Sequence, residues 1–391
     1  MLARFVQLFR STKNNNMPLT WHDVIKPIYI CLSLFGLFPH SVRFVKTRDT
    51  YKIISKSIYV NFLYALFFLV VFCVFYVMHF DWLTVSSDSS NLSNSSLTQL
   101  NYIFELLLLW ACSTVAYVSS FLNRKNYIQL LNRIMYVWNE LQTKSVCSNV
   151  LQSDPVHDVI RRNKFKALLI VFGCFSMIVI GLQINFTRND SFWKMILVAL
   201  TFHVAQLTQC LVLAFYCTLV MITASFLQNI KDRILKSPFD NQVNKINGSH
   251  SSLLEFLKEL ESYYVKVFDI KRDINRLFRS IIVVTTLQCL HSMVSEAHFI
   301  YHGIFAETFS VHDVLNCSIW IIFQIVKIHT VTYFSGLVKT EIQHFSALIK
   351  SHNPEFTVYG LFSLNAALIF SIISSTTMYL IIVVQFDNKH L

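Results

Sequence analysis

Five side chains near the carboxyl end of the chain could line a water-filled path. They are Ser371, Ser375, Met378, Ile382 and Gln385. Their separations of four, three, four and three residues place them on one face of an α-helix. The residues on the other faces are mainly apolar. A stripe of this kind on an apolar helix is either a buried seam between helices or the wall of an aqueous pathway.

A second set of polar and aromatic residues interrupts the long apolar stretches earlier in the chain. An acidic side chain inside a membrane costs about 2.5–3.5 kcal/mol at the centre, so it is expected to face a cavity, a partner or water. Aromatic rings beside a few hydrogen-bonding groups suit a small organic ligand. Each residue could instead form a hydrogen bond between helices. As a ligand-binding set the sequence offers Glu105, His203, Gln206, Glu296, His298, Trp320 and Gln324.

Other chemistry is poorly supported by the sequence. His291, His298 and His302 share one helical face, but no acidic residue completes a zinc ligand set there, so we predict no metal site. Lys327 is expected to extend its ammonium toward the nearer membrane surface. We find no phosphate-binding glycine loop, nucleophile elbow or metalloprotease motif, which argues against an enzyme and against a bound cofactor.

The composition indicates that these residues are carried by membrane-spanning helices. The chain has 391 residues, of which 54% are hydrophobic and 14% are charged, against about 25% charged residues in soluble domains. A span needs about 20 mostly apolar residues. Seven stretches meet this length, at 57–79, 100–122, 166–186, 193–227, 279–303, 314–336 and 363–386. We therefore predict an all-α membrane protein with seven transmembrane helices.

Basic residues are distributed unevenly among the loops. Lys and Arg number nine in 1–57, eight in 123–166 and ten in 228–279, but the loops 80–99, 187–194 and 304–313 hold two in total. This asymmetry predicts a cytoplasmic amino terminus, and seven spans then leave the carboxyl terminus outside. We expect the protein in the plasma membrane. It also assigns the basic surplus to anionic lipid, with no nucleic-acid partner.

Three further features refine this arrangement. The glycosylation sequons at Asn91 and Asn94 fall in a predicted outer loop, as glycosylation requires. Amphipathic stripes continue beyond the spans, through Leu131, Ile134 and Trp138 for example, which predicts a cytoplasmic helical base. An earlier apolar run, 28–38, is too short to span, and we expect a helix at the inner surface or packed under the spans.

The carboxyl end resembles the insect gustatory receptors, a family of the insect chemoreceptor superfamily. Their last span carries Thr-Tyr, five apolar residues and Gln-Phe. This chain has Met378-Tyr379, five apolar residues and Gln385-Phe386, with Met in place of the Thr. The preceding segment "FTVYGLFSLNAALIFSIISS" and the early "GLFP" are also similar to family sequences.

The resemblance implies a ligand-gated, non-selective cation channel of four subunits, in which the last span of each subunit lines the pore. Ile382 and Gln385 match the constriction positions of related receptors. The implied ligand site is an outward-facing pocket among spans two to six. The implied partners are a small-molecule tastant, such as a bitter plant compound, membrane lipid, and other copies of this chain or related subunits.

The predicted organisation follows from the spans and the resemblance. Residues 1–56 form a cytoplasmic amino-terminal region and 57–336 form six helices of the ligand-binding bundle. Residues 337–362 form a cytoplasmic helical anchor segment, 363–386 the pore-lining seventh helix and 387–391 an extracellular tail. The alternatives are a G-protein-coupled type of receptor, a transporter, and a sugar-gated or co-receptor subunit of the same channel family.

Overall fold

A computed structural model describes residues 21–38, 42–46, 51–55, 59–87, 96–147, 155–186, 192–235, 250–305, 311–346 and 355–387. Asn91 and Asn94, the predicted glycosylation sites, lie outside these residues, as do the residues after Asp387, for which an extracellular tail was predicted, and the first 20 residues of the chain.

Helices account for nearly all of the described structure. In chain order they are α1 (Trp21–Leu34), α2 (Tyr59–Ser87), α3 (Ser96–Leu122), α4 (Arg124–Cys147), α5 (Pro155–Phe186), α6 (Phe192–Val198), α7 (Ala205–Leu235), α8 (His250–Phe305), α9 (Val311–Ser346) and α10 (Ala366–Asp387). A π-helical turn, Ala199–Val204, joins α6 to α7. Two antiparallel hairpins pair β1 (Val42–Lys46) with β2 (Tyr51–Ser55), and β3 (Thr357–Val358) with β4 (Phe362–Ser363).

The seven predicted spans correspond to seven of these helical segments. Six are long and apolar enough to cross a membrane, at Phe62–Trp82, Leu100–Leu122, Val159–Gln183, Phe192–Ile234, Glu255–Tyr301 and Val311–Gln343. The seventh, α10, has 22 residues, with its shorter apolar part at Ala366–Ile382. At a rise of about 1.5 Å per residue, α10 is about 33 Å long and matches the thickness of a bilayer core.

The fourth span lies at the centre of the bundle. Its most apolar stretch is 94% buried, whereas that of α2 is only 17% buried. The helix α7 packs against α3, α5, α8 and α9. The central helix α7 is apolar on all its faces because other helices surround it. The helix α2 is similarly apolar because its outward faces are suited to lipid.

The short helix α1 packs against the spanning helices. Of the two positions expected for it, at the inner membrane surface or packed under the spans, the structure therefore favours the second. Val24, Ile25 and Ile28 are fully buried, and α1 contacts α5 and α7. The helix ends before Gly36, whose φ of +68° favours a residue without a Cβ. A Cβ at Gly36 would also lie only 3.2 Å from the Cα of Ala65.

The predicted helical base is present beyond the membrane-length segments. The helix α8 has 56 residues, which corresponds to about 84 Å and exceeds any bilayer. Its extension packs against α4, where Leu131, Ile134 and Trp138 are buried as the stripe predicted. Lys266 of α8 and Glu140 of α4 form an ion pair of 2.7 Å.

The segment that leads into α10 differs from the prediction of a helical anchor over 337–362. The helix α9 continues through the predicted boundary to Ser346, but Thr357–Ser363 forms the β3–β4 hairpin. Tyr359 and Gly360 form its turn with φ of 52° and 74°, values that a helix cannot accommodate. The prediction of helix to residue 362 is therefore wrong, and α10 begins three residues later than expected.

Candidate functional site

A buried polar network occupies the middle of the bundle and joins four helices. Lys327 of α9 donates three hydrogen bonds from its Nζ to glutamine Oε1 atoms: to Gln206 at 2.8 Å, to Gln209 at 3.1 Å and to Gln288 at 3.0 Å. All three glutamines are at most 1% exposed. An ammonium has three N–H donors, so this arrangement satisfies each of them.

The network continues from Gln288 to an acidic group. The Nε2 of Gln288 donates to Oε1 of Glu105, on α3, at 2.8 Å. One amide therefore bridges a carboxylate and an ammonium, which share the low-dielectric interior without direct contact. Buried charges in a membrane must be compensated, and here the compensation passes through a neutral side chain. The expectation that Lys327 extends to the membrane surface is wrong, because three acceptors from other helices surround it.

The second carboxylate oxygen of Glu105 lies in an aromatic setting. Its Oε2 has no hydrogen-bond partner among the described residues and lies 3.9 Å from Nε2 of His291. That imidazole nitrogen hydrogen-bonds instead to the carbonyl of Asn101 at 3.2 Å. The His291 ring packs edge-on against Phe104, with centroids 4.8 Å apart. Phe104 is half exposed at the surface of the chain.

Gln324 and Cys289 extend the network toward α10. The Sγ of Cys289 donates to Oε1 of Gln324 at 3.2 Å, and both side chains are fully buried. Gln324 stands one helical turn from Lys327 on α9. The predicted ligand residues Glu105, Gln206 and Gln324 thus belong to one connected region.

His203 and Trp320 form a separate group about one turn from the network. Their rings lie 5.2 Å apart, and Gly181 of α5 approaches both. A Cβ at Gly181 would be 3.1 Å from Cε1 of His203 and 3.2 Å from Cζ2 of Trp320. The absence of a side chain at residue 181 is therefore what lets α5 approach this aromatic pair.

The remaining two predicted ligand residues lie further along α8. Glu296 is partly buried and His298 is 1% exposed. Both follow Gln288 and His291 in the direction of the α8 carboxyl end, so they occupy the same end of the bundle as the amino-terminal part of α9. They remain predictions as ligand-binding residues.

A cluster of hydrogen-bonding aromatic residues surrounds the π-helical turn. The Nδ1 of His79 lies 2.7 Å from Oγ1 of Thr201, and its Nε2 lies 3.1 Å from the hydroxyl of Tyr102. The ring of Phe202 contacts both His79 and Tyr102. π-Helical turns inside α-helices are often associated with functional sites, and nothing in the periodicity of the sequence indicated one here.

The predicted pore stripe faces away from the bundle. Ser371, Ser375, Met378, Ile382 and Gln385 are all exposed, whereas Ile372 of the same helix is buried. The helix α10 packs mainly against α8 and α9. Its large exposed apolar residues include Phe370 and Tyr379. An apolar face of this size indicates contact with lipid or with another chain.

Sequence reasoning missed the residues that connect the network. Gln209 and Gln288 were not singled out, and His291 and Lys327 were considered only for other roles. A usable pattern was present, because the pairs Gln206–Gln209, Gln288–His291 and Gln324–Lys327 each place two polar side chains on one face of an apolar helix. Among the described residues, no group of three or more His, Cys, Asp or Glu side chains could hold a metal ion.

Comparisons with known proteins agree with this architecture. The family model described as "7tm Chemosensory receptor" matches residues 25–344 and 337–390. Among solved structures, the insect olfactory receptor OR5 from Machilis hrabei has a similar fold, with a TM-score of 0.59 and 12% sequence identity. The match covers 93% of this chain and 97% of that one. No curated protein matches this sequence.

Proposed function

The chain belongs to the 7tm chemosensory receptor family, and we propose that it is a gustatory receptor that acts as a tastant-gated, non-selective cation channel. In this proposal four copies, or copies with related subunits, surround a pore lined by α10. The tastant is a small organic compound. Bitter plant compounds are favoured over sugars because Gln206 already accepts a hydrogen bond from Lys327 and the His203–Trp320 pair supplies aromatic surface.

One observation carries the channel proposal. The helix α10 buries a single side against α8 and α9, and the five residues of the polar-ended stripe point away from that contact. In an assembly around a central axis, Ser371 and Ser375 would wet one half of the path. Met378 and Ile382 would form apolar rings that block ions by dewetting, and Gln385 would stand near the outer mouth.

The ligand site of this proposal comprises the buried network and the His203–Trp320 pair. Glu105, Gln206 and Gln324 supply charged and amide groups, while Trp320 supplies aromatic surface. Glu296 and His298 complete the set toward the outer end. A cytoplasmic amino terminus, proposed from the basic loops, places this site in the outer and middle parts of the membrane.

Current recordings test the proposal directly. The chain is expressed alone in cells, and excised patches without nucleotide are exposed to quinine, caffeine and sucrose. A channel opens in the absence of GTP, whereas a receptor that signals through G proteins does not produce such currents. A response to sucrose alone would favour a sugar-gated receptor, and the absence of any current from the chain on its own would contradict a self-sufficient channel.

Epitope tags test the orientation independently. A tag at the amino terminus should be inaccessible to antibody on intact cells, and a tag at the carboxyl terminus should be accessible. An accessible amino terminus would support the G-protein-coupled type of receptor and contradict the proposed arrangement.

A further inference from the structure

The orientation of the Gln288 amide is set by two opposite charges. Its Nε2 faces the Glu105 carboxylate at 2.8 Å and its Oε1 faces the Lys327 ammonium at 3.0 Å. Turning the amide over would bring oxygen against carboxylate and N–H against ammonium, which replaces two attractive contacts by two repulsive ones. Glu105 on one side and Lys327 on the other therefore both stabilise the present orientation.

The same two helices support α10 on an adjacent face. Cys289 follows Gln288, and Ile328 follows Lys327. These two neighbours form a small buried cluster with Met293 and with Ile372 of α10. Successive residues of a helix differ by about 100° in direction. A rotation or shift that moves Gln288 and Lys327 must therefore move the apolar side chains against which α10 packs.

A small cavity next to Lys327 reaches the beginning of α10. Its volume is about 10 Å³, which is room for about one water molecule. Its lining includes Lys327 and Thr285, together with Leu364 and Leu368 at the start of α10. The Oγ1 of Thr285 is buried without a hydrogen-bond partner among the described residues. A displaced ammonium would find an acceptor on this side.

We propose that Glu105 binds the protonated amine of a ligand and that the Gln288–Lys327 pair transmits this binding to α10. The inference rests on the proposed channel function and names the ligand class and the coupling residues. The Oε2 of Glu105 is a buried acceptor without a hydrogen-bond partner among the described residues. The His291 ring, which packs edge-on against Phe104, lies beside it.

The coupling follows from competition for one carboxylate. An ammonium at Glu105 neutralises the charge that holds the Nε2 of Gln288. The Nε2 of Gln288 then loses the charged partner that holds it, the amide shifts, and its Oε1 contact with Lys327 weakens. The Lys327 ammonium moves toward the Thr285 side of the cavity, and α8 and α9 change their contact with α10. The network thus has two discrete arrangements that a ligand can bias.

The network could bind a ligand or could only hold the helices together. A double variant that removes both charges distinguishes these two roles. Glu105→Gln with Lys327→Met removes both charges at once. Either substitution alone leaves an uncompensated charge in the bundle and is expected to lower the amount of protein at the cell surface several-fold. The double variant should reach the surface within about two-fold of the parent, because no unpaired charge remains.

The decisive measurement is the quinine dose-response of that double variant. Quinine carries a protonated amine, whereas caffeine has neither an N–H nor an O–H group. We expect the double variant to lose quinine sensitivity by at least ten-fold at unchanged surface level. The same substitutions at Glu261 and Lys258, which are exposed on the α8 extension, provide the control and should leave the response unchanged. Lys327→Arg should retain part of the quinine response because it keeps the charge.

The outcomes distinguish this inference from the channel proposal. A double variant with the quinine response of the parent overturns the inference. So does a parent that opens to caffeine or sucrose but not to quinine, although the channel proposal then stands. A parent that conducts in response to none of the three compounds contradicts a self-sufficient channel and, with it, this inference.

Discussion

The phenol of Tyr76 donates a hydrogen bond of 2.7 Å to the backbone carbonyl of Thr201, in the π-helical turn between α6 and α7. A π-turn departs from the regular hydrogen-bond pattern of the α-helix. In a lipid environment a displaced backbone group must find another partner within the protein. A tyrosine from α2 therefore supports an irregular turn in the most buried span of the bundle.

Removing that hydroxyl should destabilise the turn. We expect Tyr76→Phe to lower the free energy of unfolding by about 1–3 kcal/mol, because a buried carbonyl loses its partner. The measurement is the midpoint temperature of the detergent-solubilised protein. Tyr379→Phe, which removes a hydroxyl from an exposed position on α10, is the matched control. Equal midpoints for the two variants would contradict this role of Tyr76.

The close approach of α5 to the aromatic pair gives a test of the ligand site. Gly181→Ala would place a methyl group about 3.1–3.2 Å from the rings of His203 and Trp320, so one ring must move. We expect a several-fold shift in the tastant concentration that gives half-maximal current. Gly173→Ala on the same helix meets no atom within 4 Å and should have no effect. Identical dose-response curves for both variants would exclude the pair from the ligand site.

The hairpin before α10 contains a glycine that cannot be replaced freely. Gly360 has φ of +74°, and a residue with a Cβ costs roughly 1–2 kcal/mol in this region. Gly360→Ala should therefore lower thermal stability. Gly336→Ala, at an open position within α9, should be neutral or stabilising by up to about 1 kcal/mol. Thermal unfolding of the two variants compares them directly, and a stabilised Gly360→Ala would refute the strained turn.

Two lysines bind Glu355, which precedes the β3–β4 hairpin. Their contributions to the free energy of unfolding should be unequal. Lys271 is 5% exposed and donates to the Glu355 carbonyl at 2.8 Å. Lys339 pairs with the Glu355 carboxylate at 2.6 Å, but both side chains are about 30% exposed. We expect Lys271→Met to cost about 1.5–3 kcal/mol and Lys339→Met under about 1 kcal/mol, as measured by thermal unfolding. A larger loss for Lys339→Met would reverse this ranking.

The ion pair at Glu355 also predicts a direction for the effect of pH. The hydrogen bond from Lys339 lowers the pKa of the Glu355 carboxyl below its usual value of 4.5. Its contribution to stability is therefore fully present above pH 4.5 and is lost as the pH falls through the lowered pKa. The difference in unfolding midpoint between the parent and Lys339→Met should accordingly shrink on acidification. A difference that grows would contradict the assignment.

The pore assignment is tested by neighbouring residues on α10. Ile382→Ala should enlarge the proposed apolar ring and raise current without ligand, while Gln385→Ala should alter ion selectivity or gating near the outer mouth. Ile381→Ala is the control, because it removes the same atoms as Ile382→Ala from a neighbouring residue that does not belong to the stripe. Its gating should be closer to that of the parent. Surface labelling checks expression, and parent-like currents from both stripe variants would refute the assignment.

The sequence alone determined the class of this protein, the number and positions of its spans and the existence of its helical base. Those features depend on local hydrophobicity and helical periodicity, which can be read within a window of about 20 residues. The exposed stripe from Ser371 to Gln385 was also accessible in this way, since one helix carries all of it.

Only the tertiary structure decided how the polar residues of different spans combine. Glu105 and Gln288 are 183 residues apart in the chain, and Gln206 and Lys327 are 121 apart. Their meeting depends on how four helices pack and rotate, which no local pattern fixes. Lys327 shows the consequence: its long side chain could have reached the membrane surface, but three glutamine oxygens supplied by α7 and α8 hold its charge inside the bundle.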